Sequence, residues 1–155
     1  MKKFILITIL FFTSFSFACS CIGKRKIKTS LKSADAVFVG TIISSKKVKI
    51  KMDSTKVEID SLNFLSKIEY KIFVTNRIKG KIINDTIKVY SDFGGGDCGY
   101  RFNVGQKYII YSRYDIYSWW GKVNFLSTNI CTRTNIYDDK EYKKLVRLGK
   151  RKGYC

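Results

Sequence analysis

The residues of this chain best suited to chemistry are its five cysteines, at positions 19, 21, 98, 131 and 155. Cys19 and Cys21 flank Ser20 and follow directly on a hydrophobic leader that ends in Ala18. A thiol can form a disulfide, bind a metal or act as a nucleophile, but the chain contains no histidine. The usual Ser–His or Cys–His pair of a hydrolase therefore cannot be built, and neither can a mixed Cys/His zinc site. Disulfide formation is the chemistry that we expect of these cysteines.

Other features of enzymes are missing as well. The acidic residues are few and scattered, so they offer no obvious general acid/base pair. A glycine-rich stretch at 93–99 looks superficially like a phosphate loop, but it lacks the Lys-Ser/Thr pair that grips phosphate and Mg²⁺. Its glycines indicate a backbone that takes conformations or close approaches that a Cβ would prevent. We therefore expect no enzyme and no cofactor, and we expect a disulfide at Cys98 to bring another segment against this loop.

Residues 1–18 have the pattern of a secretory signal peptide. Two lysines precede an apolar run of nine residues, and Ser16 and Ala18 supply small side chains at positions −3 and −1. The run is shorter than the roughly 20 residues that span a bilayer as a helix, so we expect no transmembrane segment. The prediction is cleavage between Ala18 and Cys19, and a secreted or cell-envelope location (periplasmic or extracellular). A cysteine directly after the cut leaves a lipoprotein anchored at Cys19 as an alternative.

The remaining chain, 19–155, is 137 residues long and strongly basic, with a length that suits a single domain. It carries 28 basic and 12 acidic side chains, a net charge of +16. Such a charge can attract nucleic acid, anionic membranes or acidic proteins. Its lysines are scattered along alternating segments, which is typical of a solvated surface, and we expect no nucleic-acid partner. Because five cysteines cannot all pair within one chain, at least one of them is left over or pairs between molecules.

Hydrophobic periodicity predicts a mostly β structure. Residues 35–43 are rich in β-branched side chains and nearly continuously apolar, as a strand that curls through a small barrel would be. Residues 46–52 alternate strictly between lysine and an apolar residue, which predicts a half-buried continuation of the same strand past a bend at 44–45. A loop is predicted at 53–65, and further strands are predicted at 68–74, 86–90, 108–111 and 122–126.

Helices are predicted only near the two ends. Residues 29–34 can form a short helix, and 138–148 begins with two aspartates and ends with basic residues. Within the second segment, Tyr142, Leu145 and Leu148 recur at helical spacing. Five strands with short flanking helices and a C-terminal helix suit an all-β fold of small helical content, an OB-like (oligonucleotide/oligosaccharide-binding) Greek-key barrel. A sandwich would need roughly seven strands.

Five short motifs occur in order along the chain: the Cys-Ser-Cys start, the strand at 33–40, the glycine-rich 94–102, the stretch 105–111 and Cys-Thr-Arg-Thr at 131–134. A Cys-x-Cys pair alone is a weak signal, but the ordered set is fairly specific. The set resembles the tissue inhibitor of metalloproteinases family in its compact bacterial form. The inhibitory, netrin-like domain of that family is an OB-like barrel, so the resemblance implies the fold that the strand pattern predicts.

The resemblance also implies a disulfide pattern and a function. It pairs Cys19 with Cys98 and Cys21 with Cys131. Cys155 then remains as a free thiol, an alternative partner inside the fold or one half of an intermolecular disulfide. The implied function is inhibition of a secreted zinc metalloendopeptidase, whose catalytic zinc is chelated by the backbone amine and carbonyl oxygen of Cys19. Ser20 would then enter the primary side-chain pocket of the protease, with the loop around Cys98 alongside. The protease-binding residues implied in this way are Cys19, Ser20, Cys21, Gly96, Asp97, Cys98 and Gly99.

A non-inhibitory function is compatible with the same residues. If Cys19 and Cys21 only staple the N-terminus, the domain is a binding module of the cell envelope, in one version lipid-anchored at Cys19. A lipid would cap the amine of Cys19 and consume the thiol that its disulfide needs. The inhibitor interpretation requires a bare α-amine, whose ordinary pKa of about 7.7–8.0 leaves a neutral fraction near neutral pH.

Overall fold

A closed ring of five strands forms the centre of the computed structural model of the protein. The structure describes Cys19, Cys21, Gly23 and residues 25–51, 64–94, 96–118 and 121–154. In chain order the elements are α1 (Ile27–Ser33), β1 (Ala36–Lys51), β2 (Phe64–Lys79), β3 (Thr86–Ser91), β4 (Lys107–Ser118), β5 (Gly121–Ser127), β6 (Asn135–Ile136) and α2 (Asp139–Lys152).

The strands follow one another around the ring in the order β1-β2-β3-β5-β4, and β4 pairs with β1 to close it. All of these pairs are antiparallel except β3 with β5, which run parallel and meet at Tyr90 and Ser127. The short β6 pairs with β4 through Tyr108 and Ile136, in the part of β4 that also pairs with β1. The predicted all-β, OB-like barrel with a small helical content is confirmed.

Strand β1 is long because it takes part first in the ring and then in a two-stranded ribbon. Its first half, up to Ile42, is buried in the ring, and its second half pairs with β2 as a two-stranded ribbon. A register shift between Ile42 and Ser44 marks the transition, next to the predicted bend at 44–45. A Cβ on Gly40 would lie 2.6 Å from Ile72 Cγ2 and 2.8 Å from Phe73 O. Glycine at this position therefore permits the close approach of β1 and β2.

The core has two parts because successive residues of a strand point to opposite faces. Inside the ring, Phe38 of β1 packs with Tyr108 and Ile110 of β4. On the outer face, Val37 and Val39 pack beneath the two helices, in a cluster with Leu31, Ala34, Ile78, Ile109, Tyr111 and Leu145. Both faces of β1 are thus buried, which explains its nearly continuous hydrophobic run.

The second helix runs from Asp139 to Lys152, further than the predicted end at 148. Asp138 caps its start, where the carboxylate accepts hydrogen bonds from the backbone N–H groups of residues 140 and 141. Three basic residues occupy the last turn, and Gly153 ends the helix in the left-handed conformation with φ of 65°. The apolar pattern stops at Leu148, but the capping chemistry extends the helix by a further turn. The part of the chain that the structure describes has no helix long and apolar enough to cross a bilayer.

Several other boundaries differ from the sequence-based expectation. Strand β2 continues to Lys79 and β4 to Ser118, past the predicted ends at 74 and 111. Helix α1 begins at Ile27, two residues before the predicted start. Strand β2 begins at Phe64, so the last two residues of the expected 53–65 loop are in fact strand, and the rest of that loop lies outside the described residues. Phe64 is exposed and pairs with Lys51 at the far end of the ribbon. Leu65 and Lys67 are half-buried there, and because one of the two is a lysine, the sequence lacks the apolar alternation that would identify the start of the strand.

Candidate functional site

Two disulfides attach the N-terminal segment to the barrel. Cys19 is bonded to Cys98, with their Cα atoms 5.5 Å apart, and Cys21 is bonded to Cys131, with their Cα atoms 5.2 Å apart. These are the two pairs that the family resemblance implies. The bonded cysteines are 79 and 110 residues apart in the chain. Cross-links over such spans stabilise a fold by about 2–4 kcal/mol each, chiefly by restricting the unfolded chain.

The loop that carries Cys98, the partner of Cys19, is organised by hydrogen bonds to the Asp97 carboxylate. One of its oxygens accepts a hydrogen bond from Phe93 N at 2.7 Å. The other accepts from Gly94 N at 2.7 Å and from Gly99 N at 3.2 Å. Desolvation acts to raise the pKa of this carboxyl, but the backbone donors outweigh it, and the pKa lies below its usual value. The charged form of Asp97 is therefore the form that organises the loop.

A guanidinium and a close backbone approach complete the shape of this loop. Arg101 donates from Nε to Phe93 O at 2.7 Å and from Nη2 to Gly94 O at 3.0 Å. Cys98 takes a φ of 60°, a left-handed conformation that is uncommon for a residue with a side chain. A Cβ on the next residue, Gly99, would collide with the carbonyl group of residue 92. The glycine-rich stretch thus serves tight packing around the disulfide.

The N-terminal segment and this loop form one edge of the molecule. Cys19 Sγ lies 3.3 Å from Gly96 O, a contact without a shared proton because the sulfur is in a disulfide. Gly96 and Asp97 are exposed, while Cys19 and Cys98 are half-buried. Exposed backbone of the loop therefore lies directly beside the first cysteine. Ser20, which the resemblance assigns to the protease pocket, lies outside the described residues.

The loops that carry the two partner cysteines are bonded to each other. Ile130 N donates to Cys98 O at 3.0 Å, and Gly99 forms a β-bridge with Asn129. The Asn129 side-chain oxygen also accepts from Cys131 N at 3.0 Å. Because Cys98 and Cys131 are fixed relative to each other, the two cysteines of the N-terminal segment are fixed as well.

A largely buried ion pair extends this anchor along the N-terminal segment. Arg133 donates from Nε to Glu141 Oε1 at 2.7 Å and from Nη2 to Oε2 at 2.8 Å, and its Nη1 donates to Arg25 O at 2.7 Å. Tyr111 also donates its hydroxyl proton to Glu141 Oε1 at 2.7 Å. Burial, followed by this hydrogen bond, raises the pKa of Tyr111 well above its usual value, so the hydroxyl stays protonated. We call the Arg133–Glu141 pair with its Arg25 contact the Arg133 clamp.

Three threonines fix the loop that bears Cys131 against β4. Thr134 Oγ1 accepts from Tyr111 N at 3.0 Å, and Thr128 Oγ1 donates to Tyr111 O at 3.0 Å. The Thr128 and Thr132 hydroxyl oxygens are 2.9 Å apart, and those of Thr128 and Thr134 are 2.8 Å apart. These hydroxyls satisfy buried backbone groups of β4 and tie them to the loop that bears Cys131.

The structure assembles most of the implied protease-contact set, in two bonded loops and the segment attached to them. It describes Cys19, Cys21, Gly96, Asp97, Cys98 and Gly99, while Ser20 and Cys155 lie outside the described residues. Sequence reasoning included Arg133 in a motif but gave it no role. It missed Glu141, the acidic partner of Arg133, because only the docking of α2 on the barrel brings the two together. Its one available signal is an acidic side chain on the first turn of a predicted helix.

No group of three or more His, Cys, Asp or Glu side chains suited to a metal ion occurs within the described ranges. The chemically distinctive atoms of the edge are therefore backbone groups and two disulfides. In comparisons with known proteins, no protein-family model and no curated protein matches this chain.

Proposed function

We propose that the protein is a secreted metalloendopeptidase inhibitor that acts through the N-terminus created by cleavage between Ala18 and Cys19. The observation that carries the proposal is the attachment of Cys19 and Cys21 to two loops that are themselves hydrogen-bonded to each other. A first residue held in this way is presented in one conformation. Binding then costs little ordering entropy, which favours high affinity from a small contact.

The inhibitory step is chelation of the catalytic zinc of the protease by backbone atoms of Cys19. A catalytic zinc has three protein ligands and an open position that holds water. The neutral α-amine and the carbonyl oxygen of Cys19 displace that water, and the metal draws off any proton left on the amine. The Cys19 thiol takes no part because it is bonded to Cys98. The inhibitor itself carries out no catalysis.

Two neighbouring features set affinity and selectivity. Ser20 enters the primary side-chain pocket of the protease, and the exposed backbone of Gly96 and Asp97 forms a second contact beside it. The net charge of +16 on the mature chain accelerates association with a protease whose active-site cleft is acidic.

The disulfide at Cys19 also bears on the lipoprotein alternative. A lipid anchor needs a thioether at the Cys19 sulfur, and that sulfur is bonded to Cys98. The two modifications exclude each other on one molecule. The intact mass of the mature protein separates them: we expect the mass of residues 19–155 less the hydrogens lost to disulfides, and an added lipid mass would contradict the inhibitor proposal.

The experiment that tests the proposal measures inhibition of zinc endopeptidases of the His-Glu-x-x-His type by mature protein that begins at Cys19. We expect competitive inhibition of at least one such protease and weaker inhibition by Ser20→Arg, because a long charged side chain does not fit a pocket that accepts serine. Lys140→Gln, an exposed change on α2, is the control and should inhibit as the unchanged protein does. Full inhibition by Ser20→Arg would contradict the assignment of Ser20.

A further inference from the structure

A cavity lies between α1, β4 and the loop that bears Cys131, apart from the edge formed by Cys19 and Gly96. Its volume is about 120 Å³, and three arginines line it: Arg25, Arg113 and Arg133. One water takes a share of about 30 Å³ in the liquid, so the space is large enough for a polyatomic ion. We call it the arginine cavity.

The positive charge of the arginine cavity is only partly neutralised. Arg133 is paired with Glu141, as part of the Arg133 clamp. The guanidinium groups of Arg25 and Arg113 have no hydrogen bond or ion pair to any residue that the structure describes. None of the described residues that line the cavity is acidic. Arg25 and Arg113 are exposed to solvent, and like charges that line one space repel one another, so an anion between them would offset that repulsion.

Ser30 provides an independent sign of a ligand. It lies on α1, is 4% exposed and lines the arginine cavity. Its hydroxyl oxygen has no hydrogen-bond partner within the described part of the chain. A buried hydroxyl without a partner is unfavourable, because folding removes its hydrogen bonds to water and returns nothing. An acceptor oxygen in the cavity would supply the missing partner.

Asn129 adds a further donor. Its side-chain oxygen accepts hydrogen bonds from Cys131 N at 3.0 Å and Thr132 N at 3.1 Å. These bonds identify the oxygen end of the amide, and its NH₂ group, on a residue that lines the cavity, donates to no residue that the structure describes. The cavity therefore offers guanidinium, hydroxyl and amide donors from different elements of the fold.

We propose that the arginine cavity binds one phosphate group. Donors that come from several elements suit a tetrahedral dianion better than a planar carboxylate, and guanidinium groups match phosphate oxygens in charge and geometry. Arg25 and Arg113 would provide the charge, and Ser30 would donate its hydroxyl proton. A bound phosphate would also join the segment after Cys21 to β4. The site is independent of protease inhibition, since it uses none of the residues assigned to the zinc or the primary pocket.

The test is the thermal midpoint of the disulfide-intact mature protein in rising inorganic phosphate, with sodium chloride added to keep ionic strength constant. We expect a saturable rise in the midpoint, as ligand linkage requires. Arg113→Gln should lose most of that rise, whereas Lys140→Gln, with the same change in charge on an exposed part of α2, should keep it. A full rise with Arg113→Gln would overturn the proposal, and so would no rise in the unchanged protein.

Ser30→Ala gives a second readout that a purely structural role would not produce. Without phosphate its midpoint should equal or exceed that of the unchanged protein, because an unpaired buried hydroxyl is removed. Its midpoint should nevertheless rise less in phosphate. A lower midpoint without phosphate, together with an undiminished response to phosphate, would contradict the role of Ser30.

Other anions identify the source of the phosphate group. If glycerol 2-phosphate raises the thermal midpoint as much as inorganic phosphate does, the site accepts the phosphate of a larger molecule. A rise with inorganic phosphate alone supports a site for the free ion. Acetate at the same concentration should have little effect. An equal response to acetate would overturn the assignment to phosphate.

Discussion

At the scale of single residues, Asp97 converts a glycine-rich stretch into a defined loop. Its two oxygens accept hydrogen bonds from three backbone N–H groups, and the loop they organise carries Cys98. The sequence predicts tight backbone here, because Gly94 and Gly99 permit conformations that other residues do not. It does not predict which side chain satisfies the backbone, since a carboxylate three residues along can equally face solvent.

Asp97→Ala should lower the free energy of unfolding by about 1 kcal/mol, below the roughly 1.5–3 kcal/mol of hydrogen bonds to charged groups, because the residue is exposed. Urea unfolding measures this loss, and hydrogen exchange should show faster exchange of the Gly94 and Gly99 amides. Asp115→Ala is the control, since no described residue forms a hydrogen bond with that side chain. Equal losses in the two variants, with unchanged exchange, would show that Asp97 does not organise the loop.

The hydrogen bond between Tyr90 and Glu69 should make the stability of the fold depend on pH in the alkaline range. The Tyr90 hydroxyl donates to Glu69 Oε2 at 2.9 Å, and burial, followed by this bond and the carboxylate charge, raises the pKa of Tyr90 from 10.0 to about 12. Because the folded-state pKa lies above the unfolded value, the stabilisation is complete below pH 10 and is lost as pH rises towards 12.

The difference in unfolding free energy between the unchanged protein and Tyr90→Phe should therefore be constant up to pH 10 and should shrink above it. Urea unfolding at a series of pH values measures it. Tyr114→Phe, at an exposed position, is the control and should show no such convergence. A difference that persists unchanged to pH 12 would contradict the raised pKa of Tyr90.

At the scale of elements, the Arg133 clamp joins α2, the Cys131 loop and the segment that contains Arg25. The paired side chains of Arg133 and Glu141 are only 16% and 8% exposed, so their bond is shielded from solvent. Arg133→Lys keeps the charge but loses the bidentate hydrogen bond to Glu141, and we expect a loss of about 1–3 kcal/mol in unfolding free energy.

The matched control for this variant is Arg77→Lys. Arg77 pairs with Asp85 at 2.6 Å, but the two side chains are 38% and 74% exposed. Ion pairs of this kind contribute about 0–1 kcal/mol, so the control should lose little. Urea unfolding compares the two variants. A loss from Arg133→Lys no greater than that from Arg77→Lys would show that the clamp adds nothing to the anchor.

The strands illustrate how much of the fold can be predicted from the sequence. Burial on one face leaves an alternating pattern and burial on both faces leaves a continuous apolar run, so the strands in the ring and the bend at 44–45 are visible in the residue pattern. At the start of β2 only Leu65 and Lys67 are half-buried, so the apolar alternation is weak, and the loop prediction there was too long by two residues. Contacts such as Arg133 with Arg25, which are 108 residues apart, leave no local pattern.

At the scale of the whole molecule, the two disulfides bond the N-terminal segment covalently to two loops of the barrel. Peptide mapping without reduction should recover Cys19 linked to Cys98 and Cys21 linked to Cys131, with Cys155 in neither bridge. Cys131→Ser should lower the unfolding free energy by about 2–4 kcal/mol. Recovery of Cys155 linked to any of the four would contradict this arrangement.

The candidate site was predictable only in part. The order of the motifs in the sequence indicates the cysteines, the glycine-rich loop and residues 131–134. The hydrogen bonds that join the two cysteine-bearing loops, such as Ile130 N to Cys98 O, depend on the closed ring and have no signature in the sequence. The arginine cavity is a similar case, because Arg25, Arg113 and Arg133 meet only in the folded chain.

The measurement that tests the inhibitor proposal most directly compares two mature proteins, one that begins at Cys19 and one that keeps Ala18 as an extra first residue. Both should have the same disulfides and thermal midpoint, since Ala18 precedes every described residue. The extension buries the Cys19 nitrogen in a peptide bond, and we expect the inhibition constant to rise roughly 100-fold or more, about 2.7 kcal/mol of binding free energy. Equal inhibition by the two proteins would contradict zinc chelation by the Cys19 amine.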